Sequence, residues 1–116
     1  EILSENKREE KYVIKKEEIF EKLHQKISNA DVYKVLSDEN FQAYIVVMPS
    51  NTSIKGHFLT KKEPEIAFLI KGEISVTLNG SIYSLHEKDF LYIKKSMPEK
   101  WQNKGGEKAE LLLVSR

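Results

Sequence analysis

The stretch that decides the fold is residues 73–85, EISVTLNGSIYSL. At its centre, Asn79-Gly80 is the strongest short-range signal for a two-residue β-hairpin, because a type I′ turn needs a positive φ at both central positions. Pairing Leu78 with Ser81 fixes the register of the two flanking strands. That register gathers four apolar side chains on one face: Ile74, Val76, Tyr83 and Leu85. The stretch therefore predicts an antiparallel hairpin with one buried face.

Two apolar runs flank the hairpin, IAFLI at residues 66–70 and FLYI at residues 90–93. Both are too short for a typical helix and are rich in β-branched and aromatic residues, so they predict strands. Neither run has a polar face, and a strand that is apolar on both sides must be covered on both sides. We therefore expect a barrel or sandwich that also dimerises.

The same region resembles the two sequence motifs of the cupin superfamily. The first is commonly written G-x5-H-x-H-x3-4-E-x6-G, and its second half is present as Glu65, six residues and Gly72. The second, G-D-x-x-x-I-P-x-x-x-P-H-x-x-x-N, is followed in outline from Lys88 to Lys94 and from Pro98 to Asn103. The resemblance implies an all-β fold, a cupin-type double-stranded β-helix or jelly-roll barrel.

The metal-binding positions of the family are mostly replaced in this chain. By resemblance, the two histidines of the first motif fall on Leu59 and Lys61, the histidine of the second falls on Glu99, and only Glu65 matches. Leucine cannot ligate a metal, and an ammonium group repels a cation. We therefore expect no cofactor, and we expect Lys61 to neutralise Glu65 or Glu99 inside the barrel.

A second interpretation keeps a divalent metal. His57 precedes the expected histidine pair by two residues, and a local shift of the loop would let His57, Glu65 and Glu99 form a site with one imidazole and two carboxylates. The simpler interpretation of His57 is a residue at the rim. Trp101 follows Glu99 by two residues and shares its face if the strand is regular. The expected ligand-binding set is His57, Leu59, Lys61, Glu65, Glu99 and Trp101.

Aromatic residues and a methionine offer an apolar cavity mouth for an organic ligand, since small-molecule sites are mostly apolar with a few polar groups. The alternative is that they form the core, which we favour for Phe68 and Tyr92. The set comprises Tyr33, Tyr44, Phe58, Phe68, Tyr92, Met97 and Trp101.

The composition limits the number of domains and the classes of protein to which the chain can belong. The 116 residues suit one domain, and the absence of cysteine excludes disulfides, thiolate metal sites and thiol nucleophiles. The net charge of +1 makes this domain alone a poor DNA-binding surface. No apolar run could cross a bilayer and no signal peptide opens the chain, so we expect a soluble, cytoplasmic protein without membrane partners.

Along the chain, residues 1–11 are expected to be a charged lead-in or linker, and residues 12–116 a single cupin domain. Tyr12 to Ile14 is a strand candidate. Ile19, Phe20, Leu23 and Ile27 recur at helical spacing, which predicts one N-terminal amphipathic helix over Lys15 to Ser28. Further strands are predicted over 32–36, 41–48 and 109–114, with a turn over 37–40 between the first two.

The arrangement resembles the C-terminal sensor domain of bacterial helix-turn-helix transcriptional regulators. This implies a non-catalytic domain that binds a small-molecule effector and forms a homodimer, with DNA bound only through a separate domain. The alternative is a stand-alone cupin enzyme of isomerase, epimerase or lyase type acting on a small polar metabolite. In that case Lys61 or His57 is the candidate base and Glu65 or Glu99 the candidate acid.

Overall fold

Ten strands and one short helix form the part of the chain that the computed structural model describes, residues 13–58, 65–94 and 98–116. The helix, α1, spans Lys16–Phe20. The strands are β1 Gln25–Ile27, β2 Ala30–Ser37, β3 Gln42–Met48, β4 Thr52–Lys55, β5 Glu65–Lys71, β6 Ile74–Leu78, β7 Ser81–Leu85, β8 Phe90–Ile93, β9 Lys100–Asn103 and β10 Ala109–Ser115.

The strands form two antiparallel sheets that pack face to face. One has six strands in the order β1-β2-β3-β10-β5-β8, and the other has four in the order β4-β9-β6-β7. Their inner faces supply the core, whose largest fully buried side chains include Trp101, Met48, Ile54, Leu69 and Leu111. This is the predicted all-β jelly-roll architecture. No helix in the described ranges has the length and apolar character that a bilayer crossing requires.

The central hairpin has the predicted register. Leu78 pairs with Ser81, Val76 with Tyr83 and Ile74 with Leu85. Asn79 and Gly80 have φ angles of 52° and 81°, as a type I′ turn requires. The buried face carries Ile74, Val76, Leu78 and Leu85, while Tyr83 stays about half exposed. The predicted hairpin and its register are confirmed, whereas Tyr83 is not buried with the other three apolar side chains.

The turn between β2 and β3 lies at the predicted place. The carboxylate of Asp38 accepts hydrogen bonds from the backbone N–H groups of Phe41, at 2.9 Å, and of Asn40, at 2.8 Å. These two bonds, the Phe41 bond first, lower the pKa of Asp38 below its ordinary value, because they stabilise the ionised carboxylate.

The predicted helix over residues 15–28 is wrong beyond Phe20. Residues 25–27 instead form β1, whose Ile27 pairs with Ala30 and whose Lys26 lies opposite Asp31, with 2.7 Å between Lys26 Nζ and Asp31 Oδ1. Ser28 adopts a φ of 54°, which a helix interior excludes. Hydrogen bonding to the edge of the large sheet outweighs the helical periodicity. Val13 and Ile14 are not in a strand, and Tyr12 lies outside the described residues.

The outer surface of the large sheet carries an unexpected amount of exposed apolar side chain. The sequence favoured Phe68 and Tyr92 as core residues, but the core takes their neighbours Ala67, Leu69 and Ile93 instead. Because strand side chains alternate, Phe68 and Tyr92 point to the opposite side. We call this surface the outer apolar face; it comprises Phe41, Ile45, Ile66, Phe68, Phe90, Tyr92, Leu112 and Val114.

A tight turn at Gly72 joins the two sheets. Gly72 has a φ of +90°, and a Cβ atom built on it would lie 2.9 Å from Ala109 Cα and 3.0 Å from the carbonyl oxygen of Lys108. Both a left-handed backbone conformation and close approach to the start of β10 therefore require glycine here.

Asn103 connects two backbone segments to the end of β9 inside the protein. Its Nδ2 atom donates to the carbonyl oxygens of Met48, at 3.1 Å, Pro49, at 3.0 Å, and Glu107, at 2.9 Å. Its Oδ1 atom accepts from the N–H of Gly105 at 3.0 Å. Because the Asn103 side chain is fully buried, hydrogen bonds from water cannot substitute for the ones that it makes to these carbonyl groups.

We expect Asn103→Asp to lower the free energy of unfolding by about 2–3 kcal/mol at neutral pH, because it removes both donors and places a carboxylate against carbonyl oxygens. Chemical denaturation measures this. Asn51→Asp is the matched control at an exposed turn and should change stability by less than about 0.5 kcal/mol. Equal effects of the two substitutions would contradict a connecting role for Asn103.

Candidate functional site

Three predicted site residues meet between the sheets. His57 follows β4, Glu65 opens β5 and Trp101 lies in β9. His57 Nε2 lies 2.5 Å from Glu65 Oε1, and Trp101 Nε1 donates to His57 Nδ1 at 3.1 Å. The rings of His57 and Trp101 also stack, with centroids 5.6 Å apart. We call His57, Glu65 and Trp101 the His57 cluster.

The local backbone explains why His57 turns inward. Gly56 has a φ of +85°, and its N–H donates to the carbonyl oxygen of Glu99 at 2.7 Å, so the end of β4 stays attached beside β9 while the chain bends. Phe58 is buried and packs against Trp101 with ring centroids 5.4 Å apart. The His57 side chain is completely buried, so it is not the rim residue that the sequence suggested.

The hydrogen bonds of the cluster fix the tautomer of His57. An indole N–H can only donate, so Nδ1 of His57 must accept and carries no proton. A neutral ring then has its proton on Nε2 and donates it to Glu65 Oε1. A doubly protonated ring would set an N–H against the N–H of Trp101. His57 is therefore neutral in this arrangement, and both of its nitrogens are engaged.

Glu65 has hydrogen-bonding capacity left over. Its side chain is 2% exposed, and its Oε2 atom has no hydrogen-bond partner among the described residues. The other buried side-chain atom in this condition is Ser115 Oγ. Strand pairing places Ser115 directly opposite Glu65, and both are buried, so the two side chains lie on the same inner face of neighbouring strands.

A third polar residue continues this row. Gln42 pairs with Ser115 on the other side of β10, and its Oε1 atom accepts a 3.3 Å hydrogen bond from the hydroxyl of Tyr44. We call Gln42, Ser115 and Glu65 the polar row. It crosses three adjacent strands at one end of the sandwich.

Glu99 does not join the cluster. Its side chain is exposed, and its Oε1 atom accepts from the N–H of Gly80 at 3.4 Å. Strand alternation would turn Glu99 to the same side as Trp101, but β9 begins only at Lys100 and Pro98 takes the buried position instead. The predicted metal set of His57, Glu65 and Glu99 is therefore not brought together, and the described residues contain no group of three or more metal-ligating side chains.

Other predicted site residues lie elsewhere. Leu59, Lys61 and Met97 fall outside the described residues. Phe68 and Tyr92 belong to the outer apolar face. Sequence reasoning missed Ser115, for which one signal was available: β10 places Ala109, Leu111 and Leu113 inward, and Ser115 continues their alternation as a polar residue.

The opposite end of the sandwich holds a separate surface groove of about 530 Å³. It lies at the far end of β5, which is roughly 20 Å from Glu65 at about 3.3 Å per residue. The side chain of His86 lines it and is 66% exposed, with Nε2 4.0 Å from Glu73 Oε2. The cluster and this groove share no residue.

A family model described as the cupin domain matches residues 44–115, more than half of the chain. The chain is a cupin. No curated protein matches the sequence of this cupin at a significant level.

Solved structures share the cupin fold at low sequence identity. A Cupin 2 conserved barrel protein from Salinispora arenicola is 18% identical, with a TM-score of 0.65, over 81% of this chain and 80% of that one. The Cupin_2 domain of an XRE family transcriptional regulator from Enterobacter cloacae is 14% identical, with a TM-score of 0.65, over 73% and 93%. A predicted oxalate decarboxylase from Thermotoga maritima is 21% identical, with a TM-score of 0.64, over 73% and 77%. These likenesses show the fold alone.

Proposed function

We propose that this cupin is a non-catalytic domain that binds a small molecule and dimerises, as the effector-binding part of a helix-turn-helix regulator. The observation that carries the proposal is the engagement of both nitrogens of His57, one by Trp101 and one by Glu65. An imidazole held in this way has no free nitrogen with which to bind a metal or exchange a proton with a substrate. The regulator context is supported only by the Enterobacter cloacae domain, which shares the fold.

Binding is supported by what the cluster leaves unused. Glu65 Oε2 and Ser115 Oγ are buried and have no hydrogen-bond partner among the residues that the structure describes, whereas buried polar groups in native proteins are normally paired. An unpaired acceptor next to a rigid aromatic ring is typical of a site that a ligand completes. The cluster therefore offers recognition groups, while the imidazole of His57 is not available as a base.

Trp101 makes the proposal testable, because it is the only tryptophan in the chain. We would titrate the protein with a panel of amino acids, amines, sugars and carboxylic acids while recording its emission, and follow each compound by NMR for several hours. We expect at least one compound to change the emission and none to be consumed. Consumption of a compound, abolished by Glu65→Gln, would overturn the proposal in favour of a cupin enzyme.

The dimer part of the proposal rests on the outer apolar face. Phe90, Tyr92 and Phe41 are 69%, 59% and 53% exposed. With about 150–250 Å² per aromatic side chain, these three alone leave roughly 300–450 Å² of apolar surface. That equals the largest patch on a typical monomer, before the aliphatic neighbours are added.

A second copy of this chain is the occupant that we propose for the face. Cross-strand pairing makes the apolar surface continuous, since Ile45 lies opposite Leu112, Leu112 opposite Phe68 and Phe68 opposite Phe90. An isologous contact between two such faces approaches the roughly 800 Å² per partner of a standard interface. Such a contact would also cover the outer side of β5 and β8, whose sequences at residues 66–70 and 90–93 have no polar face.

We expect the wild-type protein to sediment as a dimer at micromolar concentration and the double variant Phe90→Lys with Tyr92→Lys to sediment as a monomer. Ile82→Lys is the control, because Ile82 is 71% exposed on the other sheet, and this variant should remain dimeric. A wild-type monomer, or loss of the dimer in the Ile82 variant instead, would contradict this use of the outer apolar face.

A further inference from the structure

Among the residues that the structure describes, the outer surface of the four-stranded sheet carries no acidic side chain. The chain as a whole has 18 acidic residues against 19 basic ones, so this segregation is marked. Strand pairing places eight outward side chains side by side, and all of them are exposed or partly exposed. We call this surface the lysine face; it comprises Ser53, Lys55, Ser75, Thr77, Ile82, Ser84, Lys100 and Gln102.

Two lysines of this face stand next to each other. Lys55 on β4 and Lys100 on β9 are direct pairing partners, and like charges in such positions repel each other. Neither lysine forms an ion pair within the described ranges of the chain. Lys26, by contrast, has Asp31 as its cross-strand partner, with 2.7 Å between Nζ and Oδ1. An external anion would relieve the repulsion between Lys55 and Lys100.

The two carboxylates at the border of the face are directed elsewhere. Glu99 precedes Lys100, and its Oε1 atom accepts a hydrogen bond from the N–H of Gly80 at 3.4 Å. Glu73 precedes β6, and its Oε2 atom lies 4.0 Å from Nε2 of His86. The lysine face therefore keeps its positive charge, and a partner of complementary charge must be acidic.

A line of polar side chains continues from the lysine pair. Lys100, Gln102 and Lys104 follow one another at every second residue, and alternate positions of a strand are about 6.6 Å apart. Gln102 and Lys104 together line two shallow grooves, one of about 210 Å³ on the side of β6 and one of about 190 Å³ on the side of β4. Serine hydroxyl groups line both grooves, so hydrogen-bond donors and acceptors flank the line on each side.

We propose that the lysine face docks an extended acidic segment of a partner protein. In an extended chain the side chains on one side also repeat at about 6.6 Å, so alternate carboxylates match the line along β9. The serine, threonine and glutamine side chains can bind the peptide groups between them. A nucleic acid fits less well, because none of the eight residues of the face is aromatic and bases would have nothing on which to stack.

This docking surface is separate from both parts of the proposed function. The lysine face and the outer apolar face are the outward surfaces of the two sheets, on opposite sides of the sandwich. A dimer formed through the outer apolar face would leave the lysine face open on each protomer. The small number of residues suits a transient contact rather than a permanent assembly.

Two peptides test the lysine face, one of alternating glutamate and serine and one of alternating lysine and serine. Binding to the isotope-labelled full chain is followed by amide chemical shifts at low and at high salt concentration. We expect only the acidic peptide to bind and to shift the amides of β4, β6 and β9 more than those of the large sheet. High salt should weaken this binding, because ions screen contacts between exposed charges.

The double variant Lys55→Glu with Lys100→Glu should weaken binding of the acidic peptide about tenfold or more. The matched control is Lys34→Glu with Lys71→Glu, which changes the net charge equally at exposed positions of the large sheet. This control should stay within about threefold of the wild-type affinity. Lys100→Glu alone should weaken binding and yet raise the melting temperature by roughly 1–5 °C, because it replaces a repulsive cross-strand pair with an attractive one.

Four outcomes would overturn the proposal. They are no binding of the acidic peptide at low salt, an equal loss of affinity in the two double variants, tighter binding of a single-stranded oligonucleotide to the same amides, and a lower melting temperature of the Lys100→Glu variant. If the double variant at Lys55 and Lys100 does not fold, the single variant Lys55→Gln provides the same comparison. None of these results bears on the ligand site or on the dimer.

Discussion

Trp101→Phe is expected to lower the free energy of unfolding by about 2–4 kcal/mol. The substitution leaves part of a fully buried indole volume empty and removes the only described hydrogen-bond donor to His57 Nδ1. Nitrogen NMR of the imidazole should show a single Nε2–H tautomer in the wild type and a mixture in the variant. Chemical denaturation measures the loss of stability.

A double-mutant cycle separates the lost hydrogen bond from the lost volume. In a His57→Leu background the indole N–H has no ring to donate to, so Trp101→Phe should cost about 1–2 kcal/mol less there than in the wild type. A coupling energy near zero, or an Nδ1–H tautomer in the wild-type protein, would contradict the arrangement of the His57 cluster. The non-catalytic proposal would lose its main support with it.

Gly72→Ala is expected to destabilise the protein by about 2–5 kcal/mol, combining the cost of a positive φ with a collision against Ala109. For a domain of this size such a loss lowers the melting temperature by roughly 10 °C or more. Thermal unfolding followed by circular dichroism measures it.

Two other glycines separate the contributions. Gly80 has a φ of +81° but no atom within 4 Å of its added Cβ, so Gly80→Ala should cost only the backbone strain, about 1 kcal/mol or slightly more. Gly106 has neither constraint, and Gly106→Ala should be nearly neutral. If the Gly72 and Gly80 variants were equally destabilised, the close approach to β10 would have no energetic weight.

The sequence was most informative where short-range chemistry determines conformation. Asn79-Gly80 predicted the hairpin residue by residue, because few turns accept a positive φ at two successive positions. The helix over residues 15–28 failed for the opposite reason. Its apolar spacing was real, but residues 25–27 gain more by pairing with β2, and no local signal reveals that partner.

The site was predicted in part. His57, Glu65 and Trp101 come together as predicted. His57 and Glu65 were proposed as metal ligands, whereas in the structure hydrogen bonds join the three side chains. Strand alternation predicted that Glu99 shares the face of Trp101. The alternation does not extend to Glu99, because β9 begins only at Lys100 and Pro98 takes the buried position before it. Ser115 became visible only through its pairing with Glu65, a contact between residues fifty positions apart.

The central position of β10 has a consequence for how the sandwich folds. Ala109–Ser115 lies between β3 and β5, so the large sheet remains in two parts until β10 has paired with both strands. Until then β3 and β5 present unpaired edges, and pairing across such sequence separations is slow. We expect closure of the sandwich to be a late step of folding, and until it occurs the unpaired edges of β3 and β5 are open to pairing with other chains.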